Sequence, residues 1–197
     1  MTKLLYVTGT DTGIGKTFVT LRLMQHLKNK GFSVVGLKPI ASGCHQGKDG
    51  HWYNEDALLL QAESSISLAY SVINPIALID PIAPHLAAKK IGISLSPQFV
   101  SDKIKASLTP FIDIHLIEGA GGWAVPLHGD TYFYNVIQAL QIPTLLVVGM
   151  RLGCINHALL TASHIVSTGV PFLGWIGNCL KPDMPALDEN IATPIKY

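Results

Sequence analysis

The chain has 197 residues, of which 48% are hydrophobic and 14% charged, with a formal net charge of +1. This composition excludes a disordered chain, and the near-neutral charge without a long basic run disfavours nucleic acid as the main partner. The length suits one domain that buries a sizeable core, so we predict a single domain over residues 1–197.

Cysteine usage and hydropathy indicate the compartment. Three cysteines, Cys44, Cys154 and Cys179, are odd in number and far apart, which fits a reducing cytoplasm better than a disulfide framework or a zinc site. No apolar run reaches the roughly 18 residues of a membrane span, and the first residues lack the pattern of a signal peptide. We therefore expect a cytoplasmic protein with no membrane partner.

Strand and helix patterns alternate along the chain. Short apolar runs predict strands, and apolar residues at helical spacing predict the helices between them. The predicted strands cover residues 4–7, 32–37, 113–117, 143–149 and 171–177, and the predicted helices begin near residues 18, 57, 85, 97, 131 and 157. Residues 44–52 are predicted to form a mobile loop. The alternation predicts an α/β fold, with a mostly parallel central sheet and helices on both faces.

A glycine-rich stretch at residues 9–17, Gly-Thr-Asp-Thr-Gly-Ile-Gly-Lys-Thr, joins the first predicted strand to the first predicted helix. Glycines let the backbone wrap closely around phosphate oxygens, and the helix start adds a partial positive charge. Lys16 supplies a full positive charge for the β- and γ-phosphates, and the Thr17 hydroxyl is placed to bind Mg²⁺. The stretch predicts a phosphate-binding loop (P-loop), although Gly9 lies one residue earlier than in the simple pattern.

Polar residues follow several predicted strands, at the edge where open parallel sheets bind ligands. Lys38 and Ser42 follow the second strand. Glu118 ends the third strand and precedes several glycines, and a carboxylate in this position of a P-loop protein holds Mg²⁺. Asp56 lies in the first turn of a helix, where acids are common. Taken alone, Lys38 and Asp56 are typical of a solvated loop and a helix start, so their functional interpretation depends on the motifs around them.

Four motifs in register resemble those of one family, the dethiobiotin synthetases. They are the modified P-loop at 9–17, Lys-Pro-Ile-Ala-Ser-Gly at 38–43, Glu-Gly-Ala-Gly-Gly-Trp at 118–123 and Leu-Gly-Cys-Ile-Asn-His at 152–157. Asn74-Pro75 and Ala83-Pro84-His85 also match, and the resemblance extends from Met1 to about Asn178.

The resemblance implies a P-loop fold and an ATP-dependent ring-closing ligase of biotin synthesis. In this family 7,8-diaminopelargonate and CO₂ form a carbamate, ATP phosphorylates the carbamate, and the second amine displaces phosphate to close a cyclic urea. The family pattern implies that Thr17, Asp56 and Glu118 hold Mg²⁺. It implies that Lys16 and Lys38 converge on the carbamate and the γ-phosphate as the catalytic residues.

The resemblance also implies the contacts with ATP and the diamine. Thr12 and Ser42 would hydrogen-bond the diamine or carbamate end, and Asn178 would recognise adenine. The implied nucleotide-binding set is Thr12, Gly13, Ile14, Gly15, Lys16, Thr17, Asp56, Glu118, Gly119, Gly121 and Asn178. The substrate carboxylate would be bound by a helix start of the second subunit, formed by Gly153, Cys154, Ile155 and Asn156, so the resemblance implies a homodimer.

The chain departs from the family pattern at two places. Gly13 stands where several relatives carry an acidic residue. The segment Lys181–Tyr197 has no counterpart of the family's Pro-Trp-Leu-like segment, which lies against adenine, so we expect a shortened C-terminal part.

Two other functions are open at this point. One is a P-loop ATPase switch of the partition type, but such proteins carry an extra lysine five residues before the P-loop lysine, and Asp11 occupies that position. The other is a binding module that keeps the phosphate and metal contacts but has lost turnover. Product formation that depends on the diamine distinguishes the enzyme from both.

Overall fold

A computed structural model describes residues 2–179 and 184–192 of the chain. Within these residues there are eleven strands and eight helices. In chain order they are β1 (Lys3–Gly9), α1 (Lys16–Asn29), β2 (Val34–Leu37), β3 (Ile40–Ala41), β4 (His45–Gln46), β5 (Trp52–Tyr53), α2 (Glu55–Glu63), α3 (Tyr70–Ile73), β6 (Ile76–Ala77), α4 (Pro84–Lys90), α5 (Pro97–Ser107), β7 (Ile114–Glu118), β8 (Pro126–His128), β9 (Thr131–Tyr132), α6 (Phe133–Leu140), β10 (Thr144–Met150), α7 (Cys154–Ser167), β11 (Phe172–Cys179) and α8 (Leu187–Ala192).

Among the described residues, five parallel strands form the central sheet in the order β11-β10-β1-β7-β2. The first strand therefore lies in the middle of the sheet, and Tyr6 pairs with Thr144 of β10 on one side and with Ile117 of β7 on the other. Every residue of β2 and β7 is buried, as expected for parallel strands covered on both faces. The predicted α/β fold with a mostly parallel sheet is confirmed.

Crossovers between parallel strands are right-handed in almost all proteins, and with this strand order that rule puts the helices on both faces of the sheet. The chain moves across the sheet in one direction from β1 to β2 and in the other direction from β2 through β7 and β10 to β11, so the two sets of connections cover opposite faces. The direction changes between the neighbouring strands β1 and β7. Such a switch point opens a crevice at the carboxyl ends of the strands, where ligands of α/β proteins bind.

Polar caps fix where two of the helices begin. Asn54 precedes α2 and its side chain accepts a hydrogen bond from the backbone N–H of Ala57 at 3.3 Å, which leaves Asp56 in the first turn. Ser96 precedes α5, accepts from the backbone N–H of Phe99 at 3.2 Å, and is followed by proline in the first turn. Both caps satisfy backbone donors that have no partner inside the helix. The predicted helix start near residue 97 is confirmed.

The segment 44–52, expected to be a mobile loop, instead forms most of a short hairpin. Strands β4 and β5 pair antiparallel, with His45 opposite Tyr53, and the backbone N–H of Gly47 donates to the carbonyl of His51 at 2.8 Å. The Tyr53 hydroxyl donates to the Asp49 carboxylate at 2.5 Å and holds the turn. The expectation was wrong because a strand of two residues carries too little alternation to be recognised from sequence.

The expectation about Lys181–Tyr197 falls partly outside the described residues. The described portion of that segment contains α8. Across residues 2–179 and 184–192, no helix is both long enough and apolar enough to cross a membrane.

A buried histidine ties the start of β7 to the loop before it. His115 is fully buried, its Nε2 accepts from the backbone N–H of Thr109 at 3.0 Å, and its Nδ1 lies 2.9 Å from the Thr2 hydroxyl. Because a backbone N–H can only donate, the ring proton must be on Nδ1, facing Thr2. Burial disfavours the charged ring and lowers the pKa of His115 to about 4.

We expect His115 to make the protein sensitive to acid. Above pH 6.5 the ring is neutral in both the folded and the unfolded chain, and between about pH 6.5 and 4 only the unfolded chain takes up the proton. The free energy of unfolding should therefore fall by up to about 1.4 kcal/mol per pH unit in this window because of this one group. Urea unfolding at several pH values measures that loss.

His115→Gln, whose amide can still accept from Thr109, should lose less stability on acidification than the parent protein. His51→Gln, at an exposed position in the hairpin, is the matched control and should lose as much as the parent. Equal acid sensitivity of all three proteins would contradict the assignment of this loss to His115.

Candidate active site

The P-loop connects the end of β1 to the start of α1 at the switch point of the sheet. Gly13 and Gly15 both have positive φ, 72° and 81°, and α1 begins directly after Gly15. A side chain at Gly15 would also collide with the Asn178 amide, because its Cβ would lie 2.1 Å from Nδ2. The first turn of α1 contains no acidic residue, so its free N–H groups face no competing carboxylate of their own helix.

Two side-chain hydrogen bonds to loop carbonyls hold the loop in this shape. The Asn178 amide at the end of β11 donates to the carbonyl of Ile14 at 2.8 Å. The ammonium group of Lys16 donates to the carbonyl of Asp11 at 2.8 Å. The family pattern predicts that Asn178 recognises adenine, and the sequence gives no signal of its bond to the loop, since the two partners are 164 residues apart.

Lys16 is a buried lysine with an unusually acidic ammonium group. Its side chain is almost covered, with 7% of the residue exposed. Burial disfavours the charged form and the nearby Lys38 adds repulsion, which together lower the pKa of Lys16 to about 8. A lysine in this state gains from any anion placed beside it.

The predicted residues Lys38, Asp56, Thr17 and Glu118 form one connected cluster. The ammonium group of Lys38 lies 2.5 Å from Glu118 Oε1 and 2.9 Å from Asp56 Oδ2. The Thr17 hydroxyl donates to the same Glu118 oxygen at 2.9 Å. Lys38 follows β2, Asp56 lies in α2, Thr17 in α1 and Glu118 at the end of β7. The tertiary structure thus brings together four side chains from separate elements.

Backbone contacts fix Lys38 at the edge of the sheet. Its N–H donates to the carbonyl of Ile73 at 2.8 Å, and its carbonyl accepts from the Asn74 amide at 2.6 Å. Asn74 is itself buried and also receives a hydrogen bond from the Tyr70 hydroxyl at 3.0 Å. The matched Asn74-Pro75 motif thus supports the lysine rather than the ligand.

Electrostatics keep this cluster charged. Burial by itself would lower the pKa of Lys38, but the carboxylates of Glu118 and Asp56 outweigh it and raise that pKa. Burial by itself would raise the pKa of Asp56, but the Lys38 charge and its hydrogen bonds lower it. Lys38 is therefore a cation and Asp56 an anion at neutral pH.

One oxygen of Glu118 has no partner. Glu118 has no exposed surface, and its Oε2 is buried without a hydrogen bond among the described residues. An unsatisfied buried carboxylate oxygen is costly unless a cation or donor binds it. Thr17, Asp56 and Glu118 together offer the hydroxyl and carboxylate oxygens that Mg²⁺ prefers, so they fit this ion. Among the described residues, no cluster of three or more His, Cys, Asp or Glu side chains is suited to a metal. The candidate metal site is therefore this set of one hydroxyl and two carboxylates.

The glycine-rich segment after β7 lies beside the P-loop. The N–H of Gly119 donates to the carbonyl of Val7 at 3.0 Å, and a Cβ on Gly119 would lie 2.3 Å from the Tyr6 hydroxyl. Gly121 has a φ of 66°, and a Cβ built there would be 3.6 Å from the Thr12 hydroxyl. Gly119 therefore lies against β1, and Gly121 lies beside Thr12 of the P-loop.

Ser42 contributes another unpaired hydroxyl. Its Oγ is buried and has no hydrogen-bond partner in the part of the chain that the structure describes. The loop around it is held to the segment before α4, because the N–H of Gly43 donates to the carbonyl of Asp80 at 3.1 Å. A buried free hydroxyl in a fixed loop is suited to a polar ligand.

The four residues expected to bind a substrate carboxylate lie elsewhere, at the start of α7 after β10. Gly153 has a φ of 89°, Cys154 is buried and Asn156 is exposed. Their hydrogen bonds within the described residues are local, and none reaches the Lys38 cluster of the same chain. Within a single chain, the structure therefore does not join Gly153, Cys154, Ile155 and Asn156 to the other predicted site residues.

Comparison with known proteins gives relatives over almost the whole chain. A family model described as an AAA domain matches residues 3–195. The ATP-dependent dethiobiotin synthetase of Xanthomonas oryzae pv. oryzae (strain PXO99A) is 48% identical over 186 residues, which cover 94% of this chain and 82% of that protein. The enzyme of the same name from Cellvibrio japonicus (strain Ueda107) is 48% identical over 191 residues, covering 97% of this chain and 83% of that protein.

Solved structures with a similar fold are distant in sequence. A ParA family ATPase from Chlorobium tepidum TLS has a TM-score of 0.56 at 14% identity and is matched over 100% of this chain and 83% of its own. The septum site-determining protein MinD from Pyrococcus horikoshii OT3 has a TM-score of 0.55 at 18% identity, over 98% and 79% of the two chains. At these identities the likeness shows the fold alone.

We expect Lys16→Met to stabilise the ligand-free protein at pH 7. The buried charge is then removed, and the gain should be on the order of 1–3 kcal/mol in the free energy of unfolding. The gain should shrink as pH rises from about 8 towards 10.5, because the folded parent has already lost the proton that its unfolded chain still holds. Urea unfolding without nucleotide, near pH 7 and again in that alkaline window, measures the change.

Lys3→Met removes an exposed lysine and serves as the matched control, with little change expected at either pH. A Lys16→Met protein less stable than the parent at pH 7 would mean that the hydrogen bond to Asp11 outweighs the cost of burying the charge.

Proposed function

The chain belongs to the ATP-dependent dethiobiotin synthetase family, and we propose that it closes the ureido ring of dethiobiotin from 7,8-diaminopelargonate, CO₂ and ATP. ADP and phosphate are the other products. The observation that carries this proposal is the Lys38–Glu118–Thr17–Asp56 cluster beside the P-loop, built on the buried pair Lys38–Glu118, in a chain 48% identical to named enzymes of this family. Such a cluster faces the place where a γ-phosphate would lie in a P-loop protein.

The reaction consists of three bond-forming steps. One amine of the diamine attacks CO₂ and loses a proton, which gives a carbamate. A carbamate oxygen then attacks the γ-phosphorus of ATP, the bond to ADP breaks, and a carbamic-phosphoric anhydride forms. Finally the second amine attacks the anhydride carbonyl, phosphate leaves with the bonding electrons, and the amine proton is released as the ring closes.

Lys16 and Lys38 supply positive charge along this path. Lys38 keeps its proton at neutral pH, since the pKa of its ammonium group is raised by Glu118 and Asp56. Lys16, with a pKa of about 8 in the free protein, gains an anionic partner when a triphosphate binds, which favours its charged form. In phosphoryl transfer, positioning and electrostatic stabilisation supply most of the rate enhancement.

The backbone of the P-loop and of the glycine-rich segment holds the phosphates. Amides of Gly13, Ile14, Gly15, Lys16 and Thr17 surround the β- and γ-phosphates, and Gly119 and Gly121 let the opposite loop approach them. Thr12 and Ser42 hydrogen-bond the diamine or carbamate end, and Asn178 recognises adenine.

Thr17, Asp56 and Glu118 would hold Mg²⁺. The buried, unpaired Oε2 of Glu118 and the two further oxygen donors beside it support this assignment. When bound, the ion neutralises phosphate charge during transfer.

The active unit is proposed to be a homodimer. Gly153, Cys154, Ile155 and Asn156 of one subunit bind the carboxylate tail of the substrate held by the other, since the start of α7 carries a partial positive charge. The separation of this segment from the Lys38 cluster within one chain supports a contribution from the second subunit. The three free cysteines are consistent with a cytoplasmic enzyme.

Release of phosphate from MgATP and bicarbonate tests the proposed function. With 7,8-diaminopelargonate present, we expect one phosphate released per dethiobiotin formed, and without it only a trace. Release that does not depend on the diamine would favour an ATPase switch. Nucleotide binding without any release would favour a module that has lost turnover.

Lys38→Ala should lower kcat by roughly 10²–10³, the usual effect of removing one preorganised electrostatic group. Its KM for ATP should change less, since the P-loop contacts remain. Lys90→Ala, which removes a lysine from the exposed ion pair with Asp80, is the control and should leave turnover unchanged.

Because Lys38→Ala leaves Glu118 without its cationic partner, the free energy of unfolding is measured alongside. A folded variant with near-normal turnover would remove Lys38 from the catalytic site.

A further inference from the structure

An ion pair joins the P-loop to the segment before α7. The guanidinium of Arg151 donates from Nη2 to Asp11 Oδ2 at 2.5 Å, across 140 residues of chain. The other carboxylate oxygen of Asp11 accepts from the N–H of Thr12 at 2.7 Å, and the Asp11 carbonyl accepts from Lys16 at 2.8 Å. Asp11 therefore contacts Lys16 through its carbonyl and Arg151, the residue after β10, through its carboxylate.

A carboxylate is an unfavourable neighbour for a triphosphate. Asp11 is ionised at neutral pH, because the Thr12 N–H and Arg151 lower its pKa. Its negative charge sits within the nine-residue stretch proposed to surround the phosphates, where it opposes anion binding. The Arg151 guanidinium cancels this charge and fixes the carboxylate in one direction.

Stability does not account for the pair. Both side chains are about half exposed, 50% for Arg151 and 46% for Asp11, and exposed pairs of this kind contribute little to the free energy of folding. Arg151 is also held where it lies, since its carbonyl accepts from the N–H of Cys154 at 3.0 Å in the turn that starts α7. Arg151 is therefore placed as the ion-pair partner of one P-loop residue, Asp11.

We propose that Arg151 is a positioning residue for ATP, which acts through Asp11 by neutralising and orienting the carboxylate of the P-loop. This inference rests on the ATP site of the proposed function. Without Arg151, the uncompensated Asp11 charge repels the phosphates and the loop loses its link to β10. Removing the charge of Asp11 as well should therefore restore ATP binding.

Four variants test the inference: Arg151→Gln, Arg151→Lys, Asp11→Asn and the double variant Arg151→Gln/Asp11→Asn. Arg22→Gln removes the chain's other arginine, at an exposed position on α1, and is the matched control. The dissociation constant of MgATP is measured by calorimetric titration of the full chain without diamine, at low and at high ionic strength. The steady-state kcat and KM for ATP are measured in parallel.

We expect Arg151→Gln to weaken MgATP binding by about 10-fold at low ionic strength and by less at high ionic strength, with KM rising more than kcat falls. Arg151→Lys keeps the charge and should bind within about threefold of the parent. Asp11→Asn and the double variant should both bind close to the parent, and the unfolding midpoints of all variants should agree.

Three results would overturn the inference. Unchanged binding by Arg151→Gln would make the pair a surface contact without function. A double variant as weak as Arg151→Gln would mean that Arg151 acts on the nucleotide directly and not through Asp11. An Asp11→Asn variant as weak as Arg151→Gln would mean that the pair serves only as a tether.

The titration contains no diamine, so failure of the ligase chemistry would leave these constants unaffected. A parent protein that bound no MgATP would refute the proposed function at its first step.

Discussion

The buried ion pair between Lys38 and Glu118 is the constraint around which the site is built. A fully buried carboxylate is tolerated only with a cation and hydrogen bonds around it, and here Lys38 and Thr17 share one of its oxygens. The cap of α2 places Asp56 on the same lysine, and the P-loop places Thr17 on the same glutamate. Asp56 and Thr17 are thus each positioned by a contact with one member of this ion pair at the end of β7.

The ligand-free site contains charged and polar groups that its surroundings do not fully satisfy. Burial and the nearby Lys38 lower the pKa of Lys16, whereas the carboxylates of Glu118 and Asp56 raise the pKa of Lys38. The unpaired oxygen of Glu118 and the unpaired hydroxyl of Ser42 are further unsatisfied groups in the same crevice. A protein that keeps such groups gives up stability to have them ready for a ligand, which is typical of functional sites.

Short sequence patterns made the fold predictable, whereas the functional interpretation of Lys38 and Asp56 depended on the family resemblance. The P-loop, the Ser96 cap and the position of Glu118 at a strand end follow from short sequence patterns, and the structure places Lys16, Thr17, Lys38, Asp56 and Glu118 around one crevice. Contacts that depend on distant residues were not predictable: Asn178 on Ile14 and Arg151 on Asp11 join positions more than 130 residues apart with no shared pattern. The hairpin at 45–53 was missed because its strands are too short to show alternation.

The central place of β1 has a consequence for synthesis on the ribosome. Lys3–Gly9 leaves the ribosome before the other strands of the sheet, yet its two neighbours are Ile114–Glu118 and Thr144–Met150, which are made much later. Until those strands are made, the apolar strand β1 lacks both of its neighbours in the sheet and can pair wrongly. Pairing between strands so far apart in the chain is slow, and the unpaired strand favours aggregation in the meantime. The nucleotide loop is thus translated before the strands that flank β1 in the folded sheet. A nascent chain that ends before Thr144 would carry the complete P-loop motif without the strand that pairs with β1 on one side.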